Sequence, residues 1–374
     1  MKHFFCLLFC TALVIPSLDA QESLDIKLAK LYQQSELPGW AIAVVDNEKI
    51  IYSHAEGYAD LKNEIPFTDQ TIINIASISK TFVAHAVMQA VSDGLFTLDT
   101  PINELLPFPV QHPQFPDTEI TISHLVTHSS GIQDRTTIYY LQTYIKEGDP
   151  DISLDEFMRY YFSPTGKWNA PGNYTKHEPG THYKYSNIGA TLAAWIIEIQ
   201  SGMPFYKYSA KYTLEPIGMD YSGWRWQDIN KELHAVNYKK KKKIADPYHL
   251  ATYPDGGLRT NIKDLSNYMI EMIKGYNGES TIFPHIDYSA MFTPIISQEF
   301  SGMNEKTEGV GVFWNTRSDG LIRHTGSDPG VTSVVVFNPE TGIAKILLTN
   351  LDINGDKQVE QFRAIWYAVD EVYK

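Results

Sequence analysis

The chain has almost no cysteine. Only Cys6 and Cys10 are cysteines among its 374 residues, and both lie within the first twenty positions. Removal of that segment on export would leave a chain without thiols, which excludes disulfide bonds, cysteine nucleophiles and cysteine metal sites. Stability must then come from a hydrophobic core, and the apolar content of 43% is enough for a large one.

Basic residues are outnumbered by acidic ones. The chain has 31 Lys and Arg against 44 Asp and Glu, a net charge of −13 at pH 7. Because nucleic-acid phosphates are bound by basic faces, nucleic acid is not an expected partner. A small-molecule or peptide substrate is the expected partner, and the sequence leaves the oligomeric state open.

The first twenty residues carry an apolar run that is too short to cross a bilayer as a permanent helix. This run extends from Phe4 to Ile15, with Lys2 before it and Pro16 to Ala20 after it, a pattern typical of a secretory signal peptide. We therefore expect residues 1–20 to be a cleaved leader. Residues 21–374 are then expected to form a single secreted or periplasmic domain with no stable membrane span.

Strand patterns concentrate at the two ends of this domain, and helical patterns dominate its middle. Trp40 to Tyr52 and Val331 to Leu348 each contain two β-rich runs around a turn, which predicts two antiparallel hairpins. Apolar residues recur at helical spacing in five stretches, which are Leu24–Leu31, Leu154–Phe162, Asn187–Ile199, Asp264–Ile273 and Gln358–Tyr373. The predicted fold is α/β of the α+β type, with a mixed, mainly antiparallel sheet built from both termini and flanked by helices. Its α/β lobe would comprise about 21–75 and 300–374, with an inserted, mainly helical lobe at about 76–299.

The segment around Ser77 places a hydroxyl and an amine one helical turn apart. Residues i and i+3 share a helix face, so Lys80 can direct its side chain at the Ser77 hydroxyl on a helix predicted from Ser77 to Val91. Serine needs such a neighbour to attack a carbonyl near neutral pH. Taken alone the pattern is weak, because about one S-x-x-K match is expected by chance in a chain of this length.

Two further motifs strengthen this interpretation. Tyr185-Ser186-Asn187 precedes a predicted helix, and His324-Thr325-Gly326-Ser327 precedes the C-terminal strand pair. With Ser77-x-x-Lys80 they give the order S-x-x-K, Y-x-N, [KH]-T-G, and the chain thereby closely resembles the serine β-lactamase and penicillin-binding DD-peptidase superfamily. Within it, the chain is most similar to the class C β-lactamase and D-Ala-D-Ala carboxypeptidase branch. Further stretches typical of these enzymes are Gly57–Asp60, His124–Ile132, Glu215–Met219 and Asp255–Leu258.

The resemblance implies a role for each motif residue. Ser77 would be the acylated nucleophile, Lys80 its partner in proton transfer, Tyr185 the general base and later acid, and Asn187 a ligand of the substrate amide. The backbone N–H groups of Ser77 and Ser327 would form the oxyanion hole. Ser327 would lie on a strand that also carries His324, Thr325 and Gly326, which would help to bind the substrate. Whether Lys80 or Tyr185 takes the first proton stays open. The resemblance implies no metal and no cofactor.

Histidine stands at position 324, where many β-lactamases have lysine. Lysine is a permanent charge for a substrate carboxylate, whereas histidine is mostly neutral at pH 7. A second histidine feature, the pair His124 and His128, has the spacing of a zinc pair but lacks the glutamate of H-E-x-x-H. We expect this pair to have a structural hydrogen-bonding role rather than to bind metal.

The expected function is that of an exported serine hydrolase that forms a covalent acyl-enzyme on Ser77. The substrate would be a D-alanyl peptide, as for a D-Ala-D-Ala carboxypeptidase, or a related peptide or amide. The alternatives are an esterase, a class C-like β-lactamase, or a non-catalytic protein that binds penicillin or peptidoglycan fragments. This fold hosts several hydrolytic specificities, so the resemblance alone does not choose among them.

Overall fold

The structure is a computed structural model that describes residues 18–146, 148–240, 243–303 and 305–373. Most of the expected leader, residues 1–17, lies outside these residues, so the signal peptide stays a prediction. No helix among the described ranges is long and apolar enough to span a membrane.

Nine strands form one antiparallel sheet that joins the two ends of the chain. These strands are β1 (Gly39–Val45), β2 (Ile50–Asp60), β3 (Ile65–Pro66), β10 (Ile296–Ser297), β11 (Thr307–Val310), β12 (Asn315–Arg317), β13 (Ile322–Asp328), β14 (Val331–Asn338) and β15 (Ile343–Thr349). Their order across the sheet is β10-β11-β12-β13-β14-β15-β1-β2-β3. The central pairing is between β1 and β15, where Ala43 lies opposite Ile346. This confirms the predicted sheet built from both termini.

Three short ladders lie outside the main sheet. They pair β4 (Ile73–Asn74) with β9 (Arg259–Thr260), β5 (Tyr144–Ile145) with β8 (His249–Leu250), and β6 (Tyr238–Lys240) with β7 (Lys243–Ile244). The first ladder ties the segment before Ser77 to the segment after Asp255.

Helices cover both faces of the sheet. They are α1 (Leu18–Gln33), α2 (Ser79–Ser92), α3 (Ile122–Val126), α4 (Thr136–Gln142), α5 (Leu154–Phe162), α6 (Asn187–Ser201), α7 (Phe205–Ser209), α8 (Glu215–Ile217), α9 (Ile262–Tyr276), α10 (Tyr288–Phe292) and α11 (Asp356–Asp370). α1 and α11 pack together on the outer face, and α9 packs on β1 and β15 from the inner face. Because β1 is covered on both sides, all its residues are buried, as expected of a strand that is almost entirely apolar.

β14, in contrast, alternates between buried and half-buried residues along its whole length. Val331, Val335 and Phe337 face the inner core, whereas Val334 and Val336 remain partly exposed on the outer face. α1 and α11 therefore cover only part of the outer face of the sheet, and the part formed by β13 and β14 is left open.

α2 is the central helix of the inner layer. Its residues from Ser79 to Ala90 are all buried, including the polar ones. It packs on α6, and Phe82 stacks on Tyr268 of α9 with 3.9 Å between ring centroids. A helix that is buried all round is held by its neighbours, so the residues at its N-terminus have fixed positions.

Candidate active site

Ser77 lies in a 3₁₀ turn, Ala76–Ile78, directly before α2. The prediction that the helix begins at Ser77 is therefore wrong by two residues. Ala76 adopts φ +47°, in the left-handed region that costs a residue with a Cβ about 1–2 kcal/mol. The carbonyl of Ile75 accepts a hydrogen bond from Ser333 Oγ at 2.8 Å, and the N–H of Ile75 donates to Leu258 O at 3.0 Å. These long-range bonds hold the strained turn in place.

Gly326 allows β13 to lie directly against this turn. A Cβ added at Gly326 would stand 2.3 Å from Ile75 O and 2.4 Å from Ser333 Oγ. Only a residue without a side chain fits there, so the glycine sets the distance between the strand and Ser77. Ser327, the next residue, lines the same cleft as Ser77.

Lys80 is fully buried and uses its ammonium to join three segments of the chain. Its Nζ donates to Ser77 Oγ at 3.1 Å, to Asn187 Oδ1 at 2.7 Å and to the backbone carbonyl of Asp255 at 2.5 Å. Burial by itself lowers the pKa of Lys80, but the nearby Tyr185 and Asp255 outweigh it, and the net pKa is raised. Lys80 is therefore an ammonium at neutral pH.

Tyr185 lies above this ammonium. Lys80 Nζ is 5.0 Å from the centroid of its ring, and the ring of His128 packs on it with 4.4 Å between centroids. The Tyr185 hydroxyl is buried, and the charged group that interacts with it is the ammonium of Lys80. A phenolic oxygen beside a buried ammonium is in a position to exchange protons with the nucleophile next to it.

Asp134 fixes the orientation of Asn187. Its carboxylate accepts hydrogen bonds from the Asn187 side-chain amide at 2.8 Å, from the Asn187 backbone N–H at 3.1 Å, from the Ile188 N–H at 2.9 Å and from Ser186 Oγ at 3.0 Å. Since the amide nitrogen of Asn187 is held by Asp134, its oxygen faces Lys80. Asp134 also places a negative charge at the N-terminus of α6, where the helix dipole favours it.

Asp255 lies on the other side of Lys80. Its side chain is buried and accepts hydrogen bonds from Tyr139 Oη at 2.9 Å and Thr191 Oγ1 at 3.0 Å. Burial raises the pKa of Asp255 to about 6, and the ammonium of Lys80 opposes that rise. Its charge is thus one reason why Lys80 stays protonated.

The motif residues on β13 alternate between the two faces of the strand. His324 and Gly326 are buried, whereas Thr325 and Ser327 are exposed. β12 pairs with β13 only at Ile322 and Arg323, so the edge from His324 onward is free of strand partners in the described part of the chain. An extended substrate can add to such an edge by backbone hydrogen bonds.

His324 is neutral in this site. Its Nδ1 lies 2.9 Å from the carbonyl oxygen of Thr325, which can only accept, so Nδ1 carries the hydrogen. Its Nε2 is then an acceptor, and it is buried without a partner among the described residues. Burial and, after it, the charge of Lys80 lower the pKa of His324 to about 3, and the bond to Thr325 opposes this.

The structure thus brings all the predicted site residues together. Ser77, Tyr185, His324, Thr325 and Ser327 line a cleft of about 400 Å³, with Lys80 and Asn187 behind Ser77 and Gly326 beneath it. Sequence reasoning missed Asp134, Asp255 and the ring of His128. Asp255 begins a stretch that the resemblance pointed to, but its contact with Lys80 has no signal in the sequence.

The two spaced histidines have separate structural contacts. The N–H of Thr121 donates to His124 Nδ1 at 3.2 Å in a capping box of α3, and the N–H of Ser186 donates to His128 Nδ1 at 3.2 Å. Within the described ranges no group of three or more His, Cys, Asp or Glu could hold a metal ion.

Comparisons with known proteins match nearly the whole chain. A family model described as Beta-lactamase matches residues 24–370. Protein flp of Staphylococcus aureus (strain MRSA252) is 23% identical over 342 residues, which cover 89% of this chain and 64% of that protein. The chain therefore spans less than two thirds of the length of this relative. A beta-lactamase of Providencia stuartii is 25% identical over 357 residues, covering 88% of this chain and 86% of its own length.

Solved structures share the fold. D-amino acid amidase from Ochrobactrum anthropi SV3, determined with L-phenylalanine, superposes with a TM-score of 0.74. The two are 21% identical, and the match covers 95% of this chain and 100% of the amidase. The octameric penicillin-binding protein homologue from Pyrococcus abyssi superposes with a TM-score of 0.71 at 23% identity, covering 95% of this chain and 78% of that one.

Replacing Gly326 by alanine tests the contact between β13 and the Ser77 turn. Because the new Cβ would collide with backbone and with Ser333, we expect Gly326→Ala to lower the free energy of unfolding by about 1–3 kcal/mol, measured by urea denaturation. Gly172→Ala is the matched control, since its Cβ would meet only Arg135 Cδ at 3.6 Å. Equal stability of the two variants would contradict the close packing.

The protonation of His324 predicts a pH dependence of stability. The unfolded chain binds a proton at His324 below about pH 6.5, whereas the folded chain does not until about pH 3, so this residue stabilises the fold above pH 6.5 and progressively less below it. Between pH 6.5 and pH 5, the unfolding free energy of the wild type should fall by about 2 kcal/mol more than that of His324→Gln. Urea titrations at both pH values measure this, with His177→Gln on an exposed loop as the control. Parallel pH curves for wild type and His324→Gln would show that His324 is not buried neutral.

Proposed function

From the premise that the chain belongs to the beta-lactamase family of serine hydrolases, we propose that it hydrolyses an amide bond next to a D-amino acid through an acyl-enzyme on Ser77. The substrate class would be D-alanyl peptides or related amides. The observation that carries this proposal is the buried hydroxyl of Tyr185 beside the ammonium of Lys80, which itself donates to Ser77 Oγ. The Ochrobactrum neighbour is a D-amino acid amidase, a name that describes the same kind of substrate.

We infer the order of the proton transfers from the protonation of Lys80. As an ammonium that already donates to Ser77 Oγ, Lys80 has no free pair to accept the serine proton. The phenolate form of Tyr185 therefore takes it as Ser77 Oγ attacks the carbonyl carbon. The backbone N–H groups of Ser77 and Ser327 stabilise the oxyanion of the tetrahedral intermediate, on the order of 10² to 10³ in rate per donor.

Collapse of the intermediate completes the first half-reaction. Tyr185 returns its proton to the leaving nitrogen, the carbon–nitrogen bond breaks, and the acyl group remains on Ser77. A water molecule then attacks the ester, again with Tyr185 as the base, and releases the acid. The ammonium of Lys80 stabilises negative charge on the phenolic oxygen in both halves.

The neutral state of His324 favours a peptidase or amidase over an efficient β-lactamase. A lysine at this position would supply a fixed charge for the carboxylate of a β-lactam, whereas neutral His324 supplies only an acceptor nitrogen. Hydrogen bonds along the free edge of β13 suit the backbone of a peptide substrate.

Covalent trapping tests the mechanism. We expect intact-protein mass spectrometry after brief mixing with N-acetyl-D-alanyl-D-alanine, D-alanine amide or a penicillin to show an acyl adduct on the wild type and none on Ser77→Ala. Parallel assays with p-nitrophenyl acetate and a chromogenic cephalosporin separate the alternatives. Turnover of the ester alone would favour an esterase, dominant cephalosporin turnover a β-lactamase, and peptide binding without any turnover a binding protein.

Tyr185→Phe should separate catalysis from stability. Because the Tyr185 hydroxyl helps to keep the buried Lys80 charged, its removal should lower the free energy of unfolding by about 1 kcal/mol, while kcat falls by about 10² to 10⁴. Tyr161→Phe is the matched control outside the site, because Tyr161 Oη donates to Gln133 O at 2.8 Å and accepts from Arg135 N–H at 3.0 Å. That variant should lose stability and keep its activity. Full activity of Tyr185→Phe would overturn the role of Tyr185.

A further inference from the structure

A large groove lies on the outer face of the sheet, next to the candidate active site. It has a volume of about 900 Å³ and lies between β13, β14 and the helix α11. Val334 and Val336 form its floor, and Trp366 and Tyr367 form its wall. Tyr367 is 58% exposed, so its ring is available to a ligand in the groove. We call this surface the outer groove.

The outer groove is continuous with the catalytic cleft. Arg323, Thr325 and Ser327 line both of them. Since β12 ends its pairing with β13 at Arg323, the edge beyond this residue is open in the part of the chain that the structure describes. A chain bound in the cleft can therefore pass over the edge of β13 into the outer groove.

Two arginines in the outer groove form no ion pair. Arg323 is half-buried and Arg363 is exposed, and neither makes an ion pair or a side-chain hydrogen bond within the described ranges. The two acidic residues that line the groove are already paired, Asp319 with Arg317 at 2.7 Å and Asp370 with Lys345. Burial and the charge of Arg317 lower the pKa of Arg323, and the more distant charge of Asp319 opposes this. A half-buried cation without a partner is costly in itself, and in a chain of net charge −13 this local excess of positive charge fits an anionic ligand.

The position of Arg323 shows which part of a substrate would reach it. Arg323 lines the cleft together with Tyr185 and His324, and in the proposed mechanism Tyr185 donates its proton to the leaving nitrogen. The leaving-group side of the substrate therefore lies toward Arg323. Among the cleft-lining residues that the structure describes, Arg323 is the one with a formal charge, since His324 is neutral.

We propose that the substrate is a peptide with an acidic segment beyond the scissile bond, and that this segment lies in the outer groove with its carboxylates on Arg323 and Arg363. This inference rests on the proposed function for the identity of the leaving-group side. Arg323 binds the first carboxylate where the chain leaves the cleft, and Arg363 of α11 binds the next. The valines of the floor and the aromatic rings of the wall contact the CH₂ groups of the acidic side chains.

Matched peptides measure this preference. Two N-acetyl-D-alanyl-D-alanyl peptides, one extended by two glutamates and the other by two glutamines, differ only in the charge of the leaving segment. We expect the wild type to cleave the glutamate peptide with kcat/KM about tenfold higher at low salt, because a charge-assisted pair in a partly desolvated site contributes about that much. The ratio should decline in 0.5 M NaCl, where exposed charges are screened.

Arginine variants test whether the preference for the glutamate peptide comes from the outer groove. In Arg323→Gln and Arg363→Gln the ratio of kcat/KM values should fall severalfold, and in the double variant it should approach one, while Arg323→Lys retains part of it. Arg159→Gln removes the same charge from α5, outside the groove, and should leave the ratio unchanged. A wild-type ratio of one, or a ratio that the double variant does not change, would overturn the proposal.

Binding to the inactive Ser77→Ala variant separates this proposal from the proposed function. Fluorescence anisotropy of the two labelled peptides should show tighter binding of the glutamate peptide, lost in Ser77→Ala combined with Arg323→Gln and Arg363→Gln. If the wild type cleaves neither peptide but this binding pattern holds, the groove assignment stands and the hydrolytic function fails. If both peptides bind equally well, the groove assignment fails even where cleavage occurs.

Discussion

The buried ammonium of Lys80 is the interaction on which the rest of the site depends. A charge removed from water must have its hydrogen bonds satisfied inside the protein. Here one acceptor comes from the Ser77 turn. The other two are Asn187, the first residue of α6, and the backbone carbonyl of Asp255, which lie 107 and 175 residues from Lys80 in the chain. One nitrogen thus fixes three parts of the fold relative to each other and also faces the nucleophile. Stability and reactivity are coupled at this atom.

Elements with continuous or periodic apolar residues are predictable from the sequence. The helices α5 and α6 and the two hairpins β1–β2 and β14–β15 lie where hydrophobic periodicity and turn residues indicate. The start of α2 is the exception, because helical periodicity includes Ser77 whereas the structure has a 3₁₀ turn there with Ala76 in the left-handed region. That turn is shaped by hydrogen bonds to Leu258 and Ser333, contacts for which no local pattern exists.

The motif residues of the site could be found from the sequence, but their supports could not. Asp134 is a single carboxylate in a loop, and its function comes from four hydrogen bonds to residues about fifty positions away. His324 was visible as a histidine, yet its protonation is set by burial and by the charge of Lys80, which only the folded chain shows. Arg323 is its neighbour on β13 and lines the same cleft, yet of the two only Arg323 also lines the outer groove.

The pairing of β1 with β15 has a consequence for how the molecule is made. Thr349 Oγ1 donates to Gly39 O at 2.7 Å, across 310 residues of chain, and β1 is the strand that joins the N-terminal part of the sheet to the C-terminal part. While the chain is being synthesised, β1 and β2 have no partner on the β15 side until β15 (Ile343–Thr349) has been made. Closure of a loop of this length is slow compared with local helix formation. The sheet is therefore completed late, and the Ser77 turn, which is held by the strands β13 and β14, acquires its reactive shape only after those strands have been made.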